Sequence, residues 1–368
     1  MITEPMQAAP RILFVPVSGP NGMGEFARAR SLADALRARW PQLETHFVLH
    51  REAPYALGFH HPVTLLPASP TRCTRAVTAL IETLRPQVVV FDNAGRTAQL
   101  RAARRCGARV VYVSSRGRQR YKAFRLHWMR MLEDHWISYP ALITGALGPF
   151  ERLKLRLLGR PQLRFLDAVL APAEAAAADA LLGEGGDPQL LIVPGGGSGF
   201  HDSAMTPQHF AAWGETLARA GHRVVFVGGP AFKDYVAHSP MRVLRGVSGG
   251  ALRALLERTS VVLVNGGDTL LQAMVLGKAC VTVPIAGDQP ARVARCAALG
   301  AVCVPDPARG DPADLTGPGV VAACHALLTD LSARQALEAR VRATGLVDAM
   351  PAILERLGDH LGLRPINS

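Results

Sequence analysis

Acidic residues are in short supply. Twenty-nine Asp and Glu stand against 41 Lys and Arg, a formal net charge of +12. Charged partners are therefore anionic: a phosphorylated ligand, an anionic membrane surface or nucleic acid. Nucleic acid is set aside, because no zinc-finger, helix-turn-helix or RRM signature accompanies the charge. The six cysteines (Cys73, Cys106, Cys280, Cys296, Cys303 and Cys324) form no CxxC pair, and no histidine cluster completes a metal site. They read as reduced, mostly buried thiols of a cytoplasmic protein, with no metal and no cofactor expected. No apolar run reaches the roughly 18 residues of a membrane-spanning helix. The start, MITEPMQAAPRILFVPV, lacks the basic segment and long apolar core of a signal peptide. GxxxxGK[ST] is missing, which argues against a P-loop NTPase.

What is present is ample apolar material. Hydrophobic residues make up 49% of 368, enough for two domains with full cores. The first half alternates strand and helix patterns. RILFVPVSG, THFVLH, PVTLLP, QVVVFDN and ARVVYVSS read as strands; FARARSLADALRARW, TRCTRAVTALIETLRP and QLRAARRCG read as helices. Residues 116–165 break the rhythm with Arg, Lys and aromatics. DAVLAP at 167–172 reads as a further strand, and AEAAAADALLGEGGDP as a linker. The second half repeats the pattern from QLLIVPGGGSG through TPQHFAAWGETLARAG, HRVVFVGGP and SGGALRALLERTS to the strand AVCVPD and the closing helices. Apolar strand runs between helices predict parallel sheets covered on both faces. The expected organisation is an N-terminal domain over 1–172, a linker over 173–187 and a C-terminal domain over 188–345. A C-terminal helix over 346–368 has the option of packing back on the first domain. Ligand sites are expected at the strand carboxyl ends of each lobe, facing a cleft.

The most informative segment is 262–289, VLVNGGDTLLQAMVLGKACVTVPIAGDQ. An apolar strand stops at Asn265, Gly266, Gly267, Asp268 and Thr269, an amphipathic helix follows, and a second strand leads to Asp288 and Gln289. A turn of this kind offers bare backbone N–H groups and a helix amino terminus to a phosphate. A second glycine run, Gly195, Gly196, Gly197 and Ser198, follows another strand and suits the same ligand.

NGGDTLLQAMVLGKACVTVPIAGDQPARVARCAALGA resembles the donor-binding signature of the MurG-like and UDP-glycosyltransferase group. LLIVPGGGSG, the Trp-containing helix and VVFVGGP are similar to the heptosyltransferase group. The likeness covers roughly 188–304 well, and GPNGMGEFARARSLADAL more loosely resembles the first loop and helix of both. It implies an α/β chain of the GT-B type, two Rossmann-like parallel-sheet domains, with a nucleotide-sugar in the C-terminal one. The acid that usually meets the ribose is Gln272 here, and the first-loop His of the UDP-glycosyltransferases is Glu25.

Within that resemblance, Glu25 is the first candidate for the base that takes the acceptor's proton. Asp92, closing VVVFD, is the rival. Without catalysis, Glu25 is an acid stabilised by a helix dipole, and Asp92 an Asx turn or N-cap. Asp288 and Gln289 are expected at the sugar hydroxyls, and Lys233 and Arg245 as counter-charges to the diphosphate. Basic and aromatic residues over 116–165 suit an anionic membrane face presenting a lipid-linked acceptor; alternatively Trp128, Met131 and Leu132 pack inward. The expected activity is metal-independent, inverting transfer from a nucleotide-sugar, by analogy a UDP-sugar, to a bacterial cell-surface glycan or glycolipid precursor at the cytoplasmic face. A sugar-nucleotide epimerase of the UDP-GlcNAc 2-epimerase type and a non-catalytic basic binding module are the competing readings.

Overall fold

The computed structural model describes residues 9–19, 23–56, 60–195, 205–229, 235–285, 287–309, 314–317 and 319–363. Two compact units divide the chain. One comprises Met1–Tyr139, Ala146–Leu166 and Met350–Ser368, the other Pro140–Gly145 and Asp167–Ala349.

From the amino terminus the elements are β1 (Arg11–Pro16), α1 (Gly24–Arg39), β2 (Glu44–His50), β3 (Val63–Leu66), α2 (Thr74–Leu84), β4 (Val88–Asp92), α3 (Thr97–Arg105) and β5 (Arg109–Ser114). The basic segment then supplies α4 (Gly117–Ala123), α5 (Leu126–Met129), β6 (Asp134–Ile137), α6 (Ala141–Thr144), α7 (Pro149–Leu158) and β7 (Gln162–Phe165). The seven strands form one sheet, ordered β3-β2-β1-β4-β5-β6-β7 and parallel throughout. The central strands are apolar runs because helices cover both faces. One face packs Val89, Phe91, Val110 and Tyr112 against Leu100 of α3 and Trp128 of α5. Each such fully buried side chain contributes about 1.5–3 kcal/mol. The strand order reverses between β1 and β4, so the crevice at their carboxyl ends is where this architecture places a ligand.

The second unit continues with α8 (Ala175–Leu182), β8 (Leu190–Val193), α9 (Pro207–Arg219), β9 (Val224–Gly228), β10 (Arg242–Arg245), α10 (Gly249–Arg258), β11 (Val261–Val264), α11 (Asp268–Val275), β12 (Ala279–Thr282), α12 (Gln289–Ala298), α13 (Val320–Thr329) and α14 (Leu331–Ala343). Its five-stranded sheet runs β10-β9-β8-β11-β12, again wholly parallel, and reverses between β8 and β11. Leu190, Ile192, Leu263 and Val281 pack under Phe210 and Trp213 of α9.

The last helix, α15 (Met350–Leu361), belongs to the first unit. Gly358 lies so close to the Trp40 ring that a Cβ there would meet it at 2.8 Å. Arg356 Nε donates to buried Asp134 at 3.0 Å, and His360 binds the other carboxylate oxygen.

Several local expectations fail for physical reasons. The segment 173–187 is not a bare linker: Ala175–Leu182 is helical, as a run of alanines favours, and Glu174 N donates to the Gly250 carbonyl at 3.1 Å. Residues 167–172 form no strand but a single bridge, Ala168 to Asp348. Side chains replace the ladder there, Asp167 accepting from Val347 N and Asp348 from Leu170 N. The strand expected at 301–306 is likewise one bridge, Cys303 to Val281, and Pro305 has no N–H to extend it. Strands β6 and β7 lie inside the basic segment, where buried Asp134 and His135 interrupt any apolar run.

Candidate functional site

In the first unit the candidate residues gather at the carboxyl ends of β1, β4 and β5. Glu25 is the second residue of α1 and half-buried. Its Oε1 accepts a hydrogen bond from Asn93 Nδ2 at 2.9 Å. Asn93 follows β4 in the left-handed region (φ 51°), which Asn tolerates better than most residues. Asn93 Oδ1 accepts from Ser115 N at 2.8 Å, so the amide is fixed with its NH2 toward Glu25. Glu25 Oε2 has no partner among the described residues.

Asp92 is differently placed. It is 3% exposed, and Arg28 grips both oxygens, Nε at 2.8 Å and a terminal nitrogen at 3.1 Å. Arg28 also reaches Ser115 Oγ at 3.3 Å. A carboxylate held bidentately by a buried guanidinium is a counter-ion and a poor proton acceptor. The geometry thus separates the two candidates: Asp92 is held on both oxygens, Glu25 on one among the described residues. Arg28 and Asn93 were missed as site residues. The available signal was an arginine inside the apolar stripe of α1, among Phe26, Ala29 and Leu32, all buried.

Beside Asn93 opens a cavity of about 360 Å³, lined also by Tyr112 and by Arg96, Arg118, Lys122 and Arg125. Lys122 Nζ donates to the Gly95 carbonyl at 2.8 Å and lies 4.2 Å from the Trp128 ring centroid. Burial, then the neighbouring arginines 96, 125 and 118, push its ammonium down to about 8. The aromatics of this segment are not a continuous outer face: Phe124, Trp128 and Trp136 are buried. The exposed apolar residues are instead Tyr121, Leu126, Phe150, Leu153 and Leu157.

In the second unit, Gly195 and the Asn265–Thr269 turn follow β8 and β11, at that sheet's reversal point. Gly195 has φ 93°, and a Cβ there would collide with the Asn265 amide. Asn265 is 8% exposed and ties the two turns together. Its Nδ2 donates to the Pro194 carbonyl at 2.8 Å, and its Oδ1 accepts from Gly267 N at 2.9 Å. Gly266 N donates to Gln289 Oε1 at 3.1 Å, and Ile285 N donates to the same oxygen at 2.8 Å. The N–H groups of Gly266 and Gly267 are therefore not bare, contrary to expectation, because side chains already accept from both. At this turn the amino end of α11 leaves the N–H and hydroxyl of Thr269 without a partner among the described residues.

Gln289 is an internal brace, 7% exposed, with only its NH2 left to donate outward. Asp288 is half-exposed and paired with Arg292 at 3.0 Å. Arg292, which sequence reasoning missed, is 5% exposed and also donates to the Gly266 carbonyl. Gln272 Nε2 donates to the Val169 carbonyl at 3.1 Å, and no hydrogen bond engages its oxygen among the described residues. Asp268 opens α11, and Arg245, exposed at the carboxyl end of β10, donates to the Tyr235 carbonyl. Gly196, Gly197, Ser198 and Lys233 lie outside the described residues.

No family model and no curated protein matches the chain in sequence. Solved structures match it in fold along nearly its whole length. The glycosyltransferase SnogD from Streptomyces nogalater is 16% identical at a TM-score of 0.62, covering 95% of this chain and 99% of its own. UGT2 of Phytolacca americana, solved with UDP-2-fluoro-glucose and pterostilbene, is 12% identical at a TM-score of 0.61, covering 96% and 100%. The spinosyn forosaminyltransferase SpnP is 19% identical at 0.58, covering 96% and 99%. The chain thus has the two-domain α/β fold of the GT-B glycosyltransferases, with parallel sheets of seven and five strands.

Proposed function

We propose that this protein is a glycosyltransferase that moves a sugar from a UDP-sugar to an acceptor hydroxyl, with inversion and without a metal ion. The observation that carries the reading is Glu25, held by Asn93 at the reversal point of the first sheet with one oxygen unengaged among the described residues. Such a carboxylate suits a general base: Oε2 takes the acceptor proton as the acceptor oxygen attacks the anomeric carbon and the UDP leaves. The second unit supplies the donor site. The α11 amino terminus and Thr269 stabilise the charge that develops on the diphosphate, with Arg245 and Lys233 as counter-charges. Asp288 and the Gln289 NH2 take sugar hydroxyls, and Gln272 Oε1 a ribose hydroxyl. Several solved structures of this fold hold UDP or a UDP-sugar analogue.

The acceptor in this reading is lipid-linked, a precursor of a cell-surface glycan. Support comes from α7, which exposes Phe150, Leu153 and Leu157 at helical spacing beside Arg152 and Arg156 on a chain of net charge +12. That combination suits peripheral docking on an anionic bilayer. No helix among the described residues is long and apolar enough to cross a membrane.

Thermal shift against UDP-, GDP-, TDP- and ADP-sugars tests the donor: stabilisation by a UDP-sugar is expected, and none by any donor contradicts the proposal. Glu25→Gln is then expected to slow UDP release in the presence of a lipid acceptor fraction by about 10²–10⁴-fold, with donor binding retained.

A further inference from the structure

The cavity beside Asn93 has chemistry that the donor reading does not use. Arg96, Arg118, Lys122 and Arg125 converge on it, and no carboxylate appears among its described lining residues. None of the four pairs with an acid among the described residues. Some other cations of the same unit do: Arg120 with Glu151 at 2.6 Å, Arg28 with Asp92, and Arg104, Arg109 and Arg160 with Glu133. What distinguishes the set is its convergence: four cations line one cavity that has no acid among its described lining residues. Two orphaned polar atoms mark the same place. The Tyr112 hydroxyl and Gln119 Oε1 are buried without a partner among the described residues. Tyr112 is 0% exposed, and both residues line the cavity. Leaving a buried polar group unpaired is unfavourable, and clustered like charges add to that cost.

We propose that this cavity binds a phosphate group, carried on a sugar or lipid, as the anionic anchor of the acceptor. The proposal rests on the transferase reading in taking that ligand as the acceptor. Arg118 and Arg125 carry planar forks suited to bidentate contact with phosphate oxygens, and Lys122 adds a compact charge at the cavity wall. The Tyr112 hydroxyl donates to the anion. The Gln119 carboxamide accepts from a hydroxyl beside it, as a sugar phosphate offers. Asn93 joins this cradle to the base, because it lines the cavity and donates to Glu25. A phosphate anchored there holds an adjoining hydroxyl on the Glu25 side, so that anchoring serves orientation as well as affinity.

The test is titration of the full chain with inorganic pyrophosphate in saturating UDP, which keeps the nucleotide site filled. A sugar 1-phosphate and vesicles of phosphatidylglycerol in phosphatidylcholine are run in parallel. Arg118→Gln with Lys122→Gln is the variant; because Lys122 also donates to the Gly95 carbonyl and contacts the Trp128 ring, circular dichroism checks folding and Arg118→Gln alone is run as a second variant. At least about tenfold loss of pyrophosphate or sugar-phosphate affinity is expected, with UDP affinity unchanged. Loss confined to the vesicles, with the soluble probes silent, upholds the phosphate chemistry and assigns it to a lipid headgroup. Equal binding of every probe by wild type and variant overturns the proposal, as does a wild type that binds none of them. A chain that binds no UDP but loses pyrophosphate on substitution contradicts the proposed function and leaves this cavity standing.

Discussion

The two candidate regions differ in how much of their polar chemistry is already consumed. At the Asn265–Thr269 turn nearly everything is tied internally: Asn265 to Pro194 and Gly267, Gln289 to Gly266 and Ile285, Arg292 to Gly266 and Asp288. At the carboxyl ends of β4 and β5 the reverse holds. Among the described residues Glu25 keeps one oxygen unengaged, and four cations and two buried polar atoms line a cavity without acidic partners. The contrast separates a framework that must hold one backbone shape from a cavity whose cations have no acidic partner among the described residues. The recognisable motif is the framework, because side chains that brace a turn are constrained in type and spacing. Three of the four cavity cations, Arg118, Lys122 and Arg125, lie in the segment with no motif.

That contrast can be broken first at Asp92. If it is the counter-ion of Arg28, Asp92→Ala leaves a buried guanidinium unpaired and costs about 3–5 kcal/mol in urea denaturation. A variant of normal stability but no activity would return Asp92 to the role of base. Gly266→Ala is next. A Cβ there would meet Val293 at 2.6 Å and Gln289 at 2.9 Å. It is expected to cost about 1–3 kcal/mol and to weaken UDP binding by moving Gln289. Unchanged melting and UDP affinity would show the turn to be slack. The smallest effect concerns pH. Lys122 titrates near 8, so it is charged below that value and neutral above it, while Arg96, Arg118 and Arg125 stay charged throughout. Pyrophosphate affinity is expected to fall roughly three- to tenfold between about pH 7 and 9, the bound anion moving the midpoint upward. Lys122→Arg should flatten that profile, and a slope surviving the substitution would place the titrating group elsewhere.

Much of the architecture was legible because parallel strands buried on both faces must be apolar runs: VVVFD, RVVYVS, LLIV and VVLV all appear as strands. Segments in which polar side chains replace ladder bonds were not legible. Asp167 and Asp348 turn an expected strand into a bridge, and Asp134 and His135 conceal β6. At the site, Glu25, Asp92 and the glycine turns could be placed from their positions after apolar runs. Their partners could not: Arg28 meets Asp92 across 64 positions and Asn93 meets Glu25 across 68, distances over which sequence spacing carries no information. The functions of Gln272 and Gln289 were read outward from the resemblance, whereas each spends half its amide on the fold.

The central claim is a division of labour: donor binding in the second unit, proton abstraction in the first. Isothermal titration of UDP into wild type, Glu25→Gln and Gly266→Ala tests it most directly. The account predicts equal UDP affinity for wild type and Glu25→Gln, and a loss of about tenfold or more for Gly266→Ala. UDP binding that depends on Glu25, or that is indifferent to Gly266, would contradict it.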